Sequence, residues 1–493
     1  MKKTTPFLPG ISTKLYGSQK RRQLEAVRVE RDKLRKLSIT DLGNLFCDIL
    51  PVERLEAANS LGPKLRRRRV FPQVIVFWAW ASQLLEFNAS CNKALTLIQK
   101  WYAKAGLKVP EFDNSNYCRA RALLSGEFLD EVNSMAESYA EARVEGWHYW
   151  YGHRLKAIDG TSVRLMDTLE NQMEYPQPSG QKPGCGFPVM GVVGVLDLSR
   201  GSIDSYVECK HTDHDANGAW RLRNEFSRGD IVIADRAFCS YELMATLLQN
   251  GVQSVMRLHQ KRKTDWRRGK RIDRNSRLVT WRKPARPGKS GITLEEWKAL
   301  PDTLTIRLVR VRAEDRGKKA RTMYIATTLT DKEYPTEEIA MLYAERWKIE
   351  VKFRDIKTTM KLEEFRVRAP EMARKTLRMV RLVYNLIKAR QMEAIRGEAV
   401  CLDELAFKDT LDVLNEFRSG FEGLLAHPRL LAKEMQNLEE RIAERTLLIR
   451  PGRSEPRAVK LRPKPYQYLT APRREFTEIF HRSHHVKSVE KVA

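Results

Sequence analysis

The spacing of hydrophobic residues changes character several times along the chain, and each change predicts a different kind of element. Up to about residue 145 the spacing is helical. Leu24, Val27, Leu34 and Leu37 alternate with Lys and Arg over 18–37, the pattern of an amphipathic basic helix. An apolar run, Val74 to Ala81, follows Pro72, which suits the first turn of a buried helix. Helical pattern continues through Ser82–Ala105, with Gly106 to end it, and through Asn116–Arg143, so residues 1–145 are expected to be all-α. From His148 the period becomes that of strands: Leu155 to Asp159, Val189 to Leu198, Ser202 to Cys209 after a turn at Ser199-Arg-Gly201, and Ile231 to Asp235. A helix over Tyr241–Asn250 and a strand over Ser254–Leu258 complete residues 146–258. Three strands followed by strand–helix–strand predict a mixed five-stranded sheet, antiparallel in its first half and parallel in its second.

Residues 259–330 interrupt this α/β pattern with a basic, β-rich insertion. Lys261, Arg262, Lys263, Arg267, Arg268, Lys270 and Arg271 crowd its start, and strands are expected near 278–281, 304–311 and 322–328. Pro335 then opens a helix over 336–361, within a segment 331–370 that returns to the catalytic unit. Helical pattern over 370–398 and 402–446 makes 371–450 a second all-α region, and 451–493 is a basic Pro- and Arg-rich tail expected to be extended.

Two of the apolar strands run into a carboxylate, Ile158-Asp159-Gly160 and Ala234-Asp235-Arg236. A sheet edge can hold two such carboxylates on a rigid base, as hard divalent cations require, although Asp is also a turn residue. The helix over 336–361 sharpens the point. At about 100° per residue, Tyr343, Arg346, Glu350 and Lys357 fall within about 60° of one another, beside a separate apolar stripe of Leu342, Ile349, Phe353, Ile356 and Met360. One acid, two bases and a phenol in line is not the usual mixed-sign solvated face. Asp355 falls far from Glu350 on the same wheel and reads as a surface charge.

Charge narrows the partner. Eighty-nine Lys and Arg against 62 Asp and Glu give a formal charge of +27 over 493 residues. Self-repulsion of that size is usually tolerated for a polyanionic partner, because each neutralised phosphate releases condensed counterions. The basic helix and the cluster Arg66, Arg67, Arg68 and Arg69 are candidate phosphate contacts, as are Lys261 and Arg262. Seven dispersed cysteines without a Cys-x-x-Cys pair argue for reduced thiols and against a zinc finger. No apolar run is long enough to span a bilayer, so a cytoplasmic protein with no membrane partner is expected.

Tyr343-(2)-Arg346-(3)-Glu350-(6)-Lys357 resembles the Tyr-Arg-Glu-Lys signature of bacterial DDE transposases of the family named for insertion sequence four. Ile-Asp159-Gly-Thr and Ala-Asp235-Arg-Ala-Phe238 are similar to that family's first and second acidic motifs. Asn116-Tyr-Cys-Arg-Ala-Arg121 and the stretch Arg457 to Tyr466 are similar to segments of its flanks. The resemblance implies a ribonuclease-H-like catalytic domain with a β-rich insertion before the third carboxylate. It implies two Mg²⁺ (or Mn²⁺) ions on Asp159, Asp235 and Glu350, with Arg346, Lys357 and Tyr343 holding DNA near the cleaved bond. It also implies a homodimer that synapses the terminal inverted repeats of an element and joins them to target DNA, in a bacterial, nucleoid-associated setting. In such a family a 3′-OH can attack the opposite strand to give a hairpin, whose flipped base needs an aromatic partner. Trp266, Trp281 and Trp297 are the insertion's candidates, or else its core, and Trp297 is the choice among them.

Other polar clusters have simpler readings. His211-Thr-Asp213-His214-Asp215 reads as a turn and helix start, Asp197 as turn chemistry, and Asp167 and Glu170 are minor rivals as ligands. Two functional alternatives remain at this stage: a nuclease of the same fold that cuts without joining, and an inactive DNA-binding derivative of a transposase.

Overall fold

The computed structural model describes residues 41–61, 71–447 and 475, with short interruptions at 105, 107, 183, 212, 214, 263, 288–290, 314–320, 399, 422–423 and 425–426. The basic helix expected over 18–37, the cluster Arg66 to Arg69 and the tail from Pro451 lie outside the described residues.

The described residues before 146 are helical, as the periodicity predicts: α1 (Asp41–Leu45), α2 (Val52–Ala58), α3 (Gln73–Leu85), α4 (Cys91–Lys104), α5 (Asn114–Ala122) and α6 (Gly126–Glu141). Pro72 caps α3, whose Phe77, Trp78 and Trp80 are fully buried. The expected helix over Ser82–Ala105 is two helices, broken where Phe87 and Asn88 adopt positive φ angles of 57° and 60°. The pattern over Asn116–Arg143 is likewise divided, because Ser125 caps a new helix by accepting from the Phe128 N–H.

The sheet begins with β1 (Leu155–Leu165), β2 (Val189–Asp197) and β3 (Ile203–Lys210), which pair antiparallel. β4 (Ile231–Ala234) pairs parallel with β1 and with β5 (Gln253–Arg257), across the helix α9 (Tyr241–Gln249). The mixed sheet expected from the pattern is therefore present, but it does not stop at five strands. β5 pairs with β9 (Arg321–Thr327), and β8 (Thr303–Ala313), β7 (Ser276–Arg282) and β6 (Lys270–Arg271) continue outward. With β10 (Glu364–Phe365) beside β1, the sheet has ten strands in the order β3-β2-β1-β4-β5-β9-β8-β7-β6. The insertion extends the central sheet because the parallel strand β5 would otherwise leave an unpaired edge.

Short helices fill the connections: α7 (Leu169–Glu174), α8 (Asp215–Arg221) and, within the insertion, α10 (Leu294–Ala299). The expected helix over 336–361 comprises α11 (Thr336–Ala344), α12 (Trp347–Arg354) and a π-helical turn over Asp355–Thr359. Near Glu345 the backbone bonds tighten to the third residue back, from Arg346 N–H to Tyr343 O and from Ile349 N–H to Arg346 O. At the far end they loosen, from Met360 N–H to Asp355 O and from Leu362 N–H to Lys357 O.

The two all-α flanks meet. α13 (Pro370–Ala394), α14 (Phe407–Phe417) and α15 (Pro428–Ala443) share one continuous apolar core with α1 to α6 and with one face of the sheet. Polar ties cross the same seam: Arg390 to Asp48, Arg143 to Glu393, and Asn385 Nδ2 to Asn133 Oδ1 at 3.0 Å.

Candidate active site

The register of the parallel pair places the first two carboxylates. Ile158 is opposite Ala234, so Asp159 and Asp235 follow side by side on strands that lie about 4.8 Å apart. Asp159 is not at a strand end, as the sequence pattern implied. β1 runs on to Leu165, and it is β4 that stops, releasing Asp235 to open a 3₁₀ turn over Arg236–Phe238. Asp235 makes no side-chain capping bond there, which leaves its carboxylate available.

α12 crosses β1 and brings the third carboxylate. Gly194 is opposite Asp159 on β2, and a Cβ there would lie 3.2 Å from the Phe353 ring. The bare glycine thus lets Phe353, one turn beyond Glu350, seat on the sheet next to Asp159. Arg346 Nη1 donates to Glu350 Oε1 at 2.5 Å and lies 3.7 Å from Asp159 Oδ2, so one guanidinium lies between the two acids. Burial pushes the Asp159 carboxyl up to about 6, with the negative charges of Glu350 and Asp235 adding to it against Arg346 and the Gly160 N–H. Glu350 and Asp235 thus each lie within electrostatic reach of Asp159.

Among the described residues no three His, Cys, Asp or Glu side chains form a ready-made metal cage. The carboxylates share a site in which the positive charge comes from Arg346. The donor set nevertheless fits a hard divalent cation: oxygen ligands only, one of them half-buried, on two adjacent strands and a helix.

The remaining signature residues divide. Tyr343 is 7% exposed and packs with Leu155, Ile231, Ile233 and Val255 beneath the sheet edge, so its ring has no open face for a base. Burial raises its hydroxyl to about 12, and that hydroxyl interacts with Arg346. Lys357 lines an apolar pocket with Thr161, Val163 and Phe353, and this desolvation lowers its ammonium below the usual lysine range. Asp355 corrects the expectation of a surface charge. It is buried against the C-terminal helices, and burial raises its carboxyl despite Lys388 and Lys352 nearby. It falls on the same side of the helix as Lys348 and Lys352, the side that the C-terminal region covers.

Trp281 and Trp297 belong to the insertion's core. Trp297 is 8% exposed against Tyr241, with Lys283 over its ring, and Arg262 lies 3.8 Å from the Trp281 ring centroid. Arg262 is partly buried by this packing, whereas Lys261 is exposed. The aromatic that stands open beside the site is Trp347, 61% exposed between Arg346 and Glu350. Sequence reasoning looked for it in the insertion, though its signal was an aromatic on the polar edge of the helix wheel. Arg257, at the end of β5 and within electrostatic reach of Tyr343, was also missed. Asp197 is fully buried in the expected turn, accepting from Ser199 N–H, and Asp215 opens α8.

Residues 150–386 match the family described as "Transposase DDE domain". The chain is similar to the transposase InsG for insertion sequence element IS4 of Escherichia coli K12, at 24% identity over 453 residues, covering 90% of this chain and 96% of that relative. A solved structure, the piggyBac transposase synaptic complex with hairpin DNA, superposes with a TM-score of 0.41 and 11% identity, over 81% of this chain and 85% of that one. Among the described residues no helix is long and apolar enough to cross a membrane.

Proposed function

We propose that the protein is the cut-and-paste transposase of an insertion sequence, cleaving DNA at the element's ends and joining those ends to a target. The observation that carries this reading is the register that sets Asp159 beside Asp235 on neighbouring parallel strands, with Arg346 reaching both Asp159 and Glu350. Asp159, Asp235 and Glu350 would hold Mg²⁺ or Mn²⁺. Two such ions supply a deprotonated water or 3′-OH as nucleophile and a stabilised leaving oxygen.

The chain's own residues do the rest. Arg346 orients Glu350 through its short bond and presents a guanidinium to a phosphate oxygen entering the same gap. Tyr343 holds Arg346 from below, and Lys357 contributes a second cation along the helix. Trp347 offers its open face to a base displaced from the duplex, a role for which Trp297 is too buried. Exposed Arg267, Arg268 and Lys261 on the insertion extend the basic surface for the phosphate backbone. Residues 1–145 bind the terminal repeats in this reading, and 371–450 support a homodimer that holds two ends in one synaptic complex. The reaction takes place in the bacterial cytoplasm, at the nucleoid.

The test uses DNA flanking the protein's own gene, incubated with the full chain and Mg²⁺, with cut, hairpin and joined products mapped. Cleavage that needs the metal and disappears in Asp235→Ala is expected. Metal-independent cleavage, or cleavage that survives Asp235→Ala, would sink the proposal. Cleavage without joined product from pre-cut ends would reduce it to a nuclease.

A further inference from the structure

α12 is an eight-residue helix with a tightened turn before it and a π-turn after it. Its own hydrogen-bond ladder therefore does not define how the Glu350 turn is rolled about the helix axis. The front is held by Phe353 on Gly194 and by Arg346. The back is held by something else. Lys348 and Lys352 lie two residues either side of Glu350, and at about 100° per residue both point roughly opposite to it. Their ammonium groups converge on one carboxylate: Asp403 accepts from Lys348 Nζ at 2.6 Å and pairs with Lys352 Nζ at 3.1 Å.

Asp403 is well placed to act as a fixed point. It sits in a 3₁₀ turn, Leu402–Glu404, closed by Glu404 Oε2 accepting from the Cys401 N–H at 2.9 Å. The next residues are tied to the end of α15 by Leu405 bridging Thr446 and by the Ala406 N–H donating to Arg445 O. Lys388, fully buried on α13, also faces Asp403 and donates to Gln391 Oε1 at 2.6 Å, while burial holds its ammonium well below the usual lysine range. Lys348 is also paired with Glu345.

We propose that Asp403 is a positioning residue, a clamp from the C-terminal helical region that grips the back of the catalytic helix and sets the aim of Glu350. It lies outside the stretch that matches the transposase DDE domain. The role rests on the reading of Glu350 as a metal ligand given under Proposed function, and the experiment separates the two.

Mn²⁺ alone is titrated calorimetrically into the full chain, metal-stripped, as wild type, Glu350→Gln, Asp403→Asn, Asp403→Glu and Lys348→Met. DNA binding in EDTA and thermal midpoints are recorded for each variant. The clamp predicts that Asp403→Asn weakens Mn²⁺ by about 10–100-fold, the range for supporting groups behind a ligand, with DNA binding in EDTA unchanged. Asp403→Glu should recover much of the loss. Lys348→Met, which removes one arm at a partly exposed residue, should show a smaller loss without unfolding. Mn²⁺ affinity lost in Glu350→Gln but wild-type in both Asp403→Asn and Lys348→Met would overturn the clamp alone. Wild-type affinity in Glu350→Gln would overturn the ligand reading and the clamp with it.

Discussion

Arg346 concentrates the chemistry of the site in one side chain. Its guanidinium neutralises Glu350 and Asp159, which repel each other, and it presents the donors that a phosphate would bind. Lysine cannot reproduce that planar fork, so Arg346→Lys is expected to rescue little of the activity lost in Arg346→Ala. A cleavage rate about 10²-fold below wild type is the expected loss, read in a single-turnover assay. The two tryptophans make a contrasting pair. Trp347→Ala should weaken the complex with a cleaved or hairpin DNA end by about 1–3 kcal/mol while leaving the thermal midpoint in place. Trp297→Ala should do the reverse, destabilising the fold by about 3–5 kcal/mol through a cavity in the insertion's core, as urea unfolding would show. Equal effects of both substitutions on the DNA complex would count against Trp347 as the stacking residue.

At the scale of elements, the distance between α12 and β1 depends on a missing side chain. Gly194 has no Cβ to meet Phe353, and it stands directly across from Asp159. Gly194→Ala should lift the helix by a few tenths of an ångström where packing cannot give. The expected result is a loss of about 1–3 kcal/mol in stability with a disproportionate loss of cleavage, measured side by side on one preparation. Gly194→Ala combined with Phe353→Leu should restore part of both. The irregular turns on either side of α12 have a related consequence. They leave α12 short, so that with Asp355 buried in the C-terminal core and Lys348 and Lys352 on the Asp403 clamp, the helix is positioned by its neighbours.

Across the whole molecule, residues far apart in sequence close one helical core. Arg390, fully buried on α13, donates to Asp48 at 3.1 Å and to Glu439 at 3.2 Å. Burial alone would raise the Asp48 carboxyl, but the Arg390 charge together with hydrogen bonds from Arg390 and Tyr139 outweighs it and holds the group below its usual value. A carboxyl depressed by folding stabilises the fold above its unfolded pKa of about 3.9, and that contribution is lost as pH falls through the folded value. Asp48→Asn should therefore destabilise the protein at pH 7 and approach wild-type stability at the acidic end of the unfolding curve. A constant difference from pH 7 down to pH 3 would refute this. The charge of +27 makes a separate prediction: affinity for duplex DNA should fall steeply with salt, by about 10³-fold or more between 50 and 200 mM if six or more phosphates are held.

Much of this was legible in local pattern, because period and turn chemistry act over a few residues. The antiparallel pair turning at Gly201, the parallel strand before Asp235, the basic β-rich insertion and the two all-α flanks follow from alternation, helical spacing and charge. The three carboxylates were legible too, since chemistry that needs two strands and a helix leaves apolar runs around each acid. What the sequence left open was anything set by a partner distant in the chain. That β1 outruns β4, that the insertion prolongs the central sheet, and that the C-terminal helices bury Asp355 depend on pairing and packing that no helix wheel contains. The same holds for Tyr343, whose place in line with Arg346 was read correctly while its ring proved to be core. Sequence by itself determined the kinds of element on which Asp159, Asp235, Arg346 and Glu350 stand. Only the tertiary structure decided which of them face one another, because the roll of α12 is set from outside the helix, by Gly194 in front and by Asp403 behind.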